Sequence, residues 1–240
     1  MGNAGLKGRG AMVEAQQSNT FYAKMGMLLL ALLVAGFGSA AFIQGRSLME
    51  LPVIFHMHGA VFIAWYLLFI NQARLIGGGN HALHKKLGYS SVAIVTLMIV
   101  TGFMVSSHSF DRGLSPIPDT TIQQFMAFPM MDLVGILIFY TLGVAKRGNA
   151  LFHKHCMLIM SIAIMDPGIA RLAISFGFPP LAILVHIGLV IMVMMYDRRT
   201  AGKIHMITWA GLAYVILRVV FIFTAGASEP WANLMNRMFA

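Results

Sequence analysis

Residues 154–175 read KHCMLIMSIAIMDPGIARLAIS, an almost unbroken apolar stretch that is long enough to cross the hydrocarbon core of a bilayer, about 30 Å thick. Six further stretches of comparable length and hydropathy flank it, at residues 25–44, 52–73, 88–107, 129–145, 180–196 and 205–224. The sequence therefore predicts an all-α protein, a bundle of seven transmembrane helices embedded in a lipid bilayer.

Positive charge collects at every second connection, and therefore on one side of this predicted bundle. Basic residues occur in the N-terminal tail and in the connections after the second, fourth and sixth stretches: Lys7, Arg9 and Lys24; Arg74, Lys85 and Lys86; Lys146, Arg147 and Lys154; Arg198, Arg199 and Lys203. By the positive-inside rule, the N-terminus is cytoplasmic and the C-terminus is outside. The net charge of +9 is thus a topology signal and an attraction to anionic lipids, and we expect no nucleic-acid partner.

Composition leaves little material for a separate soluble domain, because 58% of the residues are hydrophobic and only 10% are charged. We expect a mobile N-terminal tail at residues 1–23, one membrane domain at residues 24–226 and a C-terminal tail at residues 227–240. The single cysteine, Cys156, excludes an intramolecular disulfide.

A short motif repeats at the cytoplasmic connections. GNHALHKK at residues 79–86 is echoed by GNALFHKH at residues 148–155, and more faintly by TAGKIH at residues 200–205. The chain is thus predicted to be one helix followed by three helical hairpins. The second helix of each hairpin carries histidine near its start. These histidines form an inner set at the cytoplasmic interface: His81, His84, His153, His155 and His205. Interfacial histidine and lysine side chains also occur simply because they reach the headgroups.

A second set of ionisable residues lies in the outer half of the predicted bundle. Its members are His56, His58, His108, Asp132, Asp166, Arg171, His186 and Arg218. Ionisable groups at such depth cost a few kcal/mol each unless they pair or face a wet cavity, which makes them functional candidates. The structural alternative is that Asp132 and Asp166 neutralise Arg171 and Arg218 and so join the fourth, fifth and seventh helices. Pro167 is predicted to kink the fifth helix beside Asp166.

A family resemblance runs through most of the chain after the first helix. The pattern is His56-x-His58-Gly59, Trp65, Gln72, His84-x-x-Leu87-Gly88, Phe128-Pro129, Asp132, His153-x-His155-x-Met157 and Asp166-Pro167-x-x-x-Arg171. It resembles a group of uncharacterised bacterial multi-pass membrane proteins, which implies the inner (plasma) membrane of a bacterium and carries no established activity. His84-x-x-Leu87-Gly88 is also similar to cytochrome b-type proteins, in which such a histidine is an axial ligand.

The leading functional hypothesis is a haem b or another redox cofactor used in electron transfer. Bis-histidine ligation needs one imidazole from each of two facing helices and an arginine close to the propionates. His58 and His186 are the candidate outer ligands, with Arg171 or Arg218 at the propionates. His84 with His153 or His155 is the candidate inner pair.

Two other hypotheses remain open at this point. An intramembrane zinc hydrolase would use His58, His108 and His186 with Asp132 or Asp166 as metal ligands, although no His-Glu-x-x-His motif accompanies them. An accessory or assembly subunit, or a lipid- or pigment-binding protein, would need no catalysis and no cofactor. Its methionine-rich faces would pack against apolar partners in a membrane complex. Whether the protein is an enzyme is left undecided.

The longest predicted connection, residues 108–128, lies on the outer side. Asp119 is predicted to cap a short amphipathic helix over residues 120–126. This segment is a candidate lid over the outer set of ionisable residues.

Overall fold

The computed structural model describes residues 2–43, 45, 47, 49–113, 115, 117 and 119–239, with side chains from residue 20 onward. Within that part of the chain the protein is all α, and seven helical segments are long and apolar enough to cross a membrane: Thr20–Phe42, Val53–Gly77, His81–Asp111, Ile122–Ala145, Ala150–Ser175, Leu181–Ala201 and Met206–Ala227. The predicted seven-helix membrane bundle is confirmed. Below, these segments are called the first to the seventh span, and the inner side is the one with the basic connections.

The individual helices divide the chain more finely than the spans do. They are α1 Gly2–Phe42, α2 Val53–Gly77, α3 His81–Gly88, α4 Ser90–Asp111, α5 Ile122–Phe125, α6 Ala127–Ala145, α7 Ala150–Ala163, α8 Asp166–Ser175, α9 Leu181–Ala201, α10 Met206–Phe223 and α11 Glu229–Phe239, with a 3₁₀ turn at Ala225–Ala227. The predicted N-terminal tail falls on α1, and its mobility stays a prediction. The predicted C-terminal tail contains α11.

The fifth span occupies the centre of the bundle. About two thirds of its apolar window is buried by protein, against a third or so in the other spans. Its first half, α7, packs against α1, α6, α9 and α10, and its second half, α8, packs against α1 and α9. Any polar group on the fifth span therefore faces other helices, where it must find a partner.

Helix α1 comes very close to α8 at one glycine pair. A β-carbon on Gly36 would collide with the backbone of Gly168, and one on Gly168 would come within 3.0 Å of the α-carbon of Leu33. Small residues permit this backbone approach between membrane helices. Gly168 follows Pro167 directly, so the packing fixes α8 at its start.

The repeated motif on the inner side starts helices. The side chain of Asn80 accepts a hydrogen bond from the backbone N–H of Leu83, and that of Asn149 accepts one from Phe152, both at 3.1 Å. In the third copy of the motif, His205 Nδ1 accepts a hydrogen bond from the backbone N–H of Ile207 at 3.2 Å. Each site supplies one of the acceptors that a helix N-terminus lacks.

On the outer side, α5 and α11 pack together over the end of the bundle. Ile122, Met126, Met235 and Phe239 form a small apolar cluster, and Trp231 Nε1 donates to the carbonyl of Gln123 at 2.8 Å. The short helix predicted after Asp119 is present as α5, but the prediction of Asp119 as its N-terminal cap was wrong. Thr121 accepts from Gln124 N, whereas Asp119 has a left-handed φ of 57° and lies before the helix.

Candidate functional site

The fifth span is broken at Ile164 and Met165, between α7 and α8. Pro167 has no N–H, so it cannot donate to the carbonyl of Ala163, its usual partner one helical turn earlier. Met165 N donates to Ile162 O instead of Ser161 O, so the carbonyl of Ser161 also loses its helical donor. The predicted kink is therefore a real interruption, and it leaves two buried carbonyls to be satisfied by other helices.

Two side chains from other spans satisfy these carbonyls. Tyr66 Oη, on α2, donates to Ser161 O at 2.7 Å, and Arg218 Nη1, on α10, donates to Ala163 O at 3.2 Å. Tyr66 is fully buried and Arg218 almost so. The break in the fifth span thus connects it to the second and seventh spans.

Arg218 also contacts two carboxylates. Its Nη2 lies 3.1 Å from Asp132 Oδ1 and in direct contact with Asp166 Oδ2. Asp166 stands at the first position of α8, where the helix dipole favours a negative charge. The predicted pairing of Asp132 and Asp166 with an arginine is therefore present for Arg218, and it joins the fourth, fifth and seventh spans.

His186, on α9, completes this group. Its Nδ1 lies 3.3 Å from Asp166 Oδ1 and 3.2 Å from the carbonyl of Ala182, while its Nε2 is buried without a hydrogen-bond partner. We call Asp132, Asp166, His186 and Arg218 the outer centre. Four of the seven spans contribute one side chain each to it.

Burial differs among the four members of the outer centre. The side chains of Arg218 and His186 are 4% and 3% exposed, whereas those of Asp132 and Asp166 are 13% and 16% exposed. The arginine and the histidine thus lie deeper among the helices than the two carboxylates do.

The other outer residues singled out from sequence lie outside this centre. Arg171 donates to the carbonyl of Pro167 at 2.7 Å and lies over the ring of Phe37. His58 Nδ1 is 3.1 Å from Thr101 Oγ1, and His108 packs its ring edge-on against Phe55. His58 is half-buried, with its ring tilted by 45° against that of Phe62, while His56 is exposed.

On the inner side, the structure assembles a second buried group that the sequence did not predict. Asp197 Oδ1 lies 2.8 Å from His155 Nε2, and its Oδ2 accepts from Thr208 Oγ1 at 2.6 Å and from His205 N at 3.0 Å. We call His155 and Asp197 the inner pair. Asp197 lies near the end of α9, whereas the sequence places it directly before Arg198 and Arg199, where it looks like part of a basic connection.

The candidate inner ligands differ in whether a ring nitrogen lacks a hydrogen-bond partner. His155 uses both ring nitrogens, because its Nδ1 lies 2.7 Å from the carbonyl of Leu151. His153 Nδ1 lies 2.9 Å from the carbonyl of Gly143, and His84 Nδ1 is buried without a hydrogen-bond partner. Of these three histidines, His84 and His153 thus have a ring nitrogen left for a ligand, and His155 has none.

The metal set predicted for a zinc site is not assembled. Among the residues that the structure describes, no three His, Cys, Asp or Glu side chains are arranged to hold a metal ion. Asp166 and His186 are together, but His58 and His108 contact other partners. The zinc hydrolase hypothesis stays a prediction.

The fold and the outer centre define an integral membrane protein with a buried, charged polar centre beside a broken helix. The chain matches no protein-family model, no curated protein and no solved structure.

Proposed function

We propose that this integral membrane protein carries protons across the bilayer, and that the outer centre is the place within the membrane where a proton binds. The observation that carries the proposal is the contact of His186 with Asp166, in a group where two carboxylates face one guanidinium. Uncompensated charge is costly inside a membrane. One proton, on His186 or on a carboxyl group, brings the four side chains to neutrality.

The surroundings of the centre favour exchange of that proton. An unperturbed imidazole gains or loses a proton between pH 5 and 8, whereas a guanidinium stays charged. The two carboxylates are the more exposed members. Broken helices near the middle of a membrane are also typical of transport proteins, because their free ends supply polar groups for an ion.

The test is proton flux into liposomes that contain the purified protein and a trapped pH-sensitive dye, driven by a potassium diffusion potential. We expect flux above that of protein-free liposomes, and loss of that excess in Asp166→Asn and His186→Gln. Asp111→Asn and His56→Gln are the matched controls, since they make the same chemical changes at exposed positions. Wild-type flux equal to that of protein-free liposomes, or full flux in both outer-centre variants, would contradict the proposal.

A second candidate function is the electron transfer expected from sequence. It is favoured by His186, whose Nδ1 faces a carboxylate and a carbonyl while Nε2 has no partner, as in histidines that ligate metals. A haem b bound there would supply one-electron chemistry. Arg218 does not fit the propionate role, because Asp132 and Asp166 already engage it.

A reduced-minus-oxidised visible spectrum with iron analysis separates the two functions. Split b-type bands with stoichiometric iron, both lost in His186→Gln, would support the redox function. Protein without iron or bands, but with proton flux, would support the first proposal alone.

A further inference from the structure

The inner pair has a hydrogen-bond arrangement that favours an additional proton. His155 Nδ1 faces the carbonyl of Leu151 and its Nε2 faces the carboxylate of Asp197, at 2.7 and 2.8 Å. A neutral imidazole has only one N–H, whereas both of these partners are acceptors. Both contacts are satisfied when the ring carries two protons beside an ionised Asp197, or when Asp197 is itself protonated. In both cases the two side chains together hold one proton that can leave.

The inner pair repeats the outer contact on the same two spans. His155 and Asp166 are eleven residues apart on the fifth span, and His186 and Asp197 are eleven residues apart on the sixth. Because the spans run antiparallel, each contributes the histidine of one pair and the aspartate of the other. Eleven helical residues correspond to about 16 Å along the axis, so the pairs lie toward opposite sides of the membrane.

Apolar side chains fill the section between the two pairs. Leu158 and Ile162 on the fifth span, and Val190 and Val193 on the sixth, are almost completely buried there. The one buried hydroxyl of this section on the fifth span, that of Ser161, donates to Met157 O and accepts from Trp65 Nε1. These four side chains therefore offer a proton no polar step between the pairs.

The inner pair is shielded from water by groups from three directions. Tyr22 Oη, on α1, lies 3.3 and 3.4 Å from the two ring nitrogens of His155, and Lys154 Nζ lies over the Tyr22 ring. Tyr196 packs edge-on against Tyr22. His205 stacks on His155 with ring centroids 4.3 Å apart and is itself only half-buried. His205 is thus the titratable group between the inner pair and the inner surface.

We propose that His155 and Asp197 form a second proton-binding site, which exchanges protons with the inner side and serves as the inner counterpart of the outer centre. Its part in transport rests on the proposed function, whereas proton binding by the pair does not. On release, the proton leaves His155 Nε2 or the Asp197 carboxyl group for water, and a neutral ring then faces an ionised carboxylate. The lone pair of Nε2 would repel Asp197 Oδ1, which weakens the contact between the fifth and sixth spans.

Proton binding is tested by infrared difference spectroscopy of the full-length protein in lipid, recorded between acidic and neutral pH. The carboxyl and imidazole bands that change are compared in wild type, Asp197→Asn and His155→Gln. We expect a pH-dependent band that both variants remove and that Asp111→Asn and His81→Gln, at exposed positions, retain. An unchanged difference spectrum in both inner variants would overturn the proposal, and a merely structural salt bridge would give that result.

The flux measurement on the same variants separates this inference from the proposed function. Loss of flux in both outer and inner variants, with retained folding and the missing band, supports both. Full flux in the inner variants with loss in the outer ones overturns the inner site's role in transport and leaves the outer centre intact. Absence of flux in wild type overturns the proposed function, and the infrared result then decides the inner site on its own. Asp197→Glu, which keeps the carboxyl group, should restore the band.

Discussion

Arg218 donates to the carbonyl of Ala163, the carbonyl that Pro167 deprives of its helical partner. The same guanidinium holds Asp132 and Asp166. The helix break and the charged centre are therefore one structural feature, since the proline leaves an acceptor beside the carboxylates and the same arginine contacts all three.

Removal of Arg218 should destabilise the bundle strongly. Arg218→Gln leaves two carboxylates without their cation, and breaking a buried ion pair in this way costs about 3–5 kcal/mol. We expect a large fall in the thermal unfolding midpoint in detergent, partly reversed in Arg218→Gln combined with Asp132→Asn. Arg237→Gln, at an exposed site, should leave the midpoint unchanged. Equal midpoints for wild type and Arg218→Gln would show that the contacts contribute nothing.

Tyr66→Phe should remove the donor that satisfies Ser161 O. A buried carbonyl left without a hydrogen bond costs about 1–3 kcal/mol. The variant should unfold at lower denaturant concentration, while Tyr89→Phe, at a largely exposed ring, serves as the control. If the two variants were equally stable, the break would need no support from the second span.

Gly36→Ala should disturb the packing of α1 on α8. The added methyl group would collide with the backbone of Gly168, and overpacking of this kind costs about 1–3 kcal/mol. Gly38→Ala is the matched control on the same helix, because a β-carbon there meets nothing within 4 Å. Thermal unfolding of the two variants in parallel checks this prediction, and equal loss in both would point to helix propensity instead of contact.

The stability of the inner side should fall with acid. Burial, together with the neighbouring His155, lowers the pKa of His205 from its usual value of 6.5. The unfolded chain then binds more protons than the folded one, so the contribution of His205 is present above pH 6.5 and is lost as the pH falls below it. Protonation would also abolish the acceptor that caps α10.

His205→Asn keeps a capping acceptor without a titrating ring. We therefore expect a shallower loss of stability between neutral pH and pH 5 in this variant than in wild type, measured by unfolding at several pH values. An identical pH dependence in the two proteins would exclude His205 as the source.

Prediction from sequence succeeded for features that depend on local composition. Hydropathy predicted seven spans, and a kink at Pro167 was expected. The pairing of Asp132 and Asp166 with Arg171 and Arg218 was the structural alternative, and both aspartates do contact Arg218. Prediction failed for Asp197, since a lone acid among arginines looks like part of a solvated connection. The signal that could have found it is the equal spacing of His155 to Asp166 and of His186 to Asp197 on antiparallel neighbours.

What the sequence by itself determined is the set of spans, their predicted orientation and the break in the fifth helix, because hydropathy, charge bias and a missing N–H are properties of neighbouring residues. Only the tertiary structure decided that Arg218 bridges the two aspartates, that His186 joins them and that His155 meets Asp197. Such partnerships depend on the rotation and adjacency of whole helices, which contacts such as that of Gly36 with Gly168 impose across more than a hundred residues of chain.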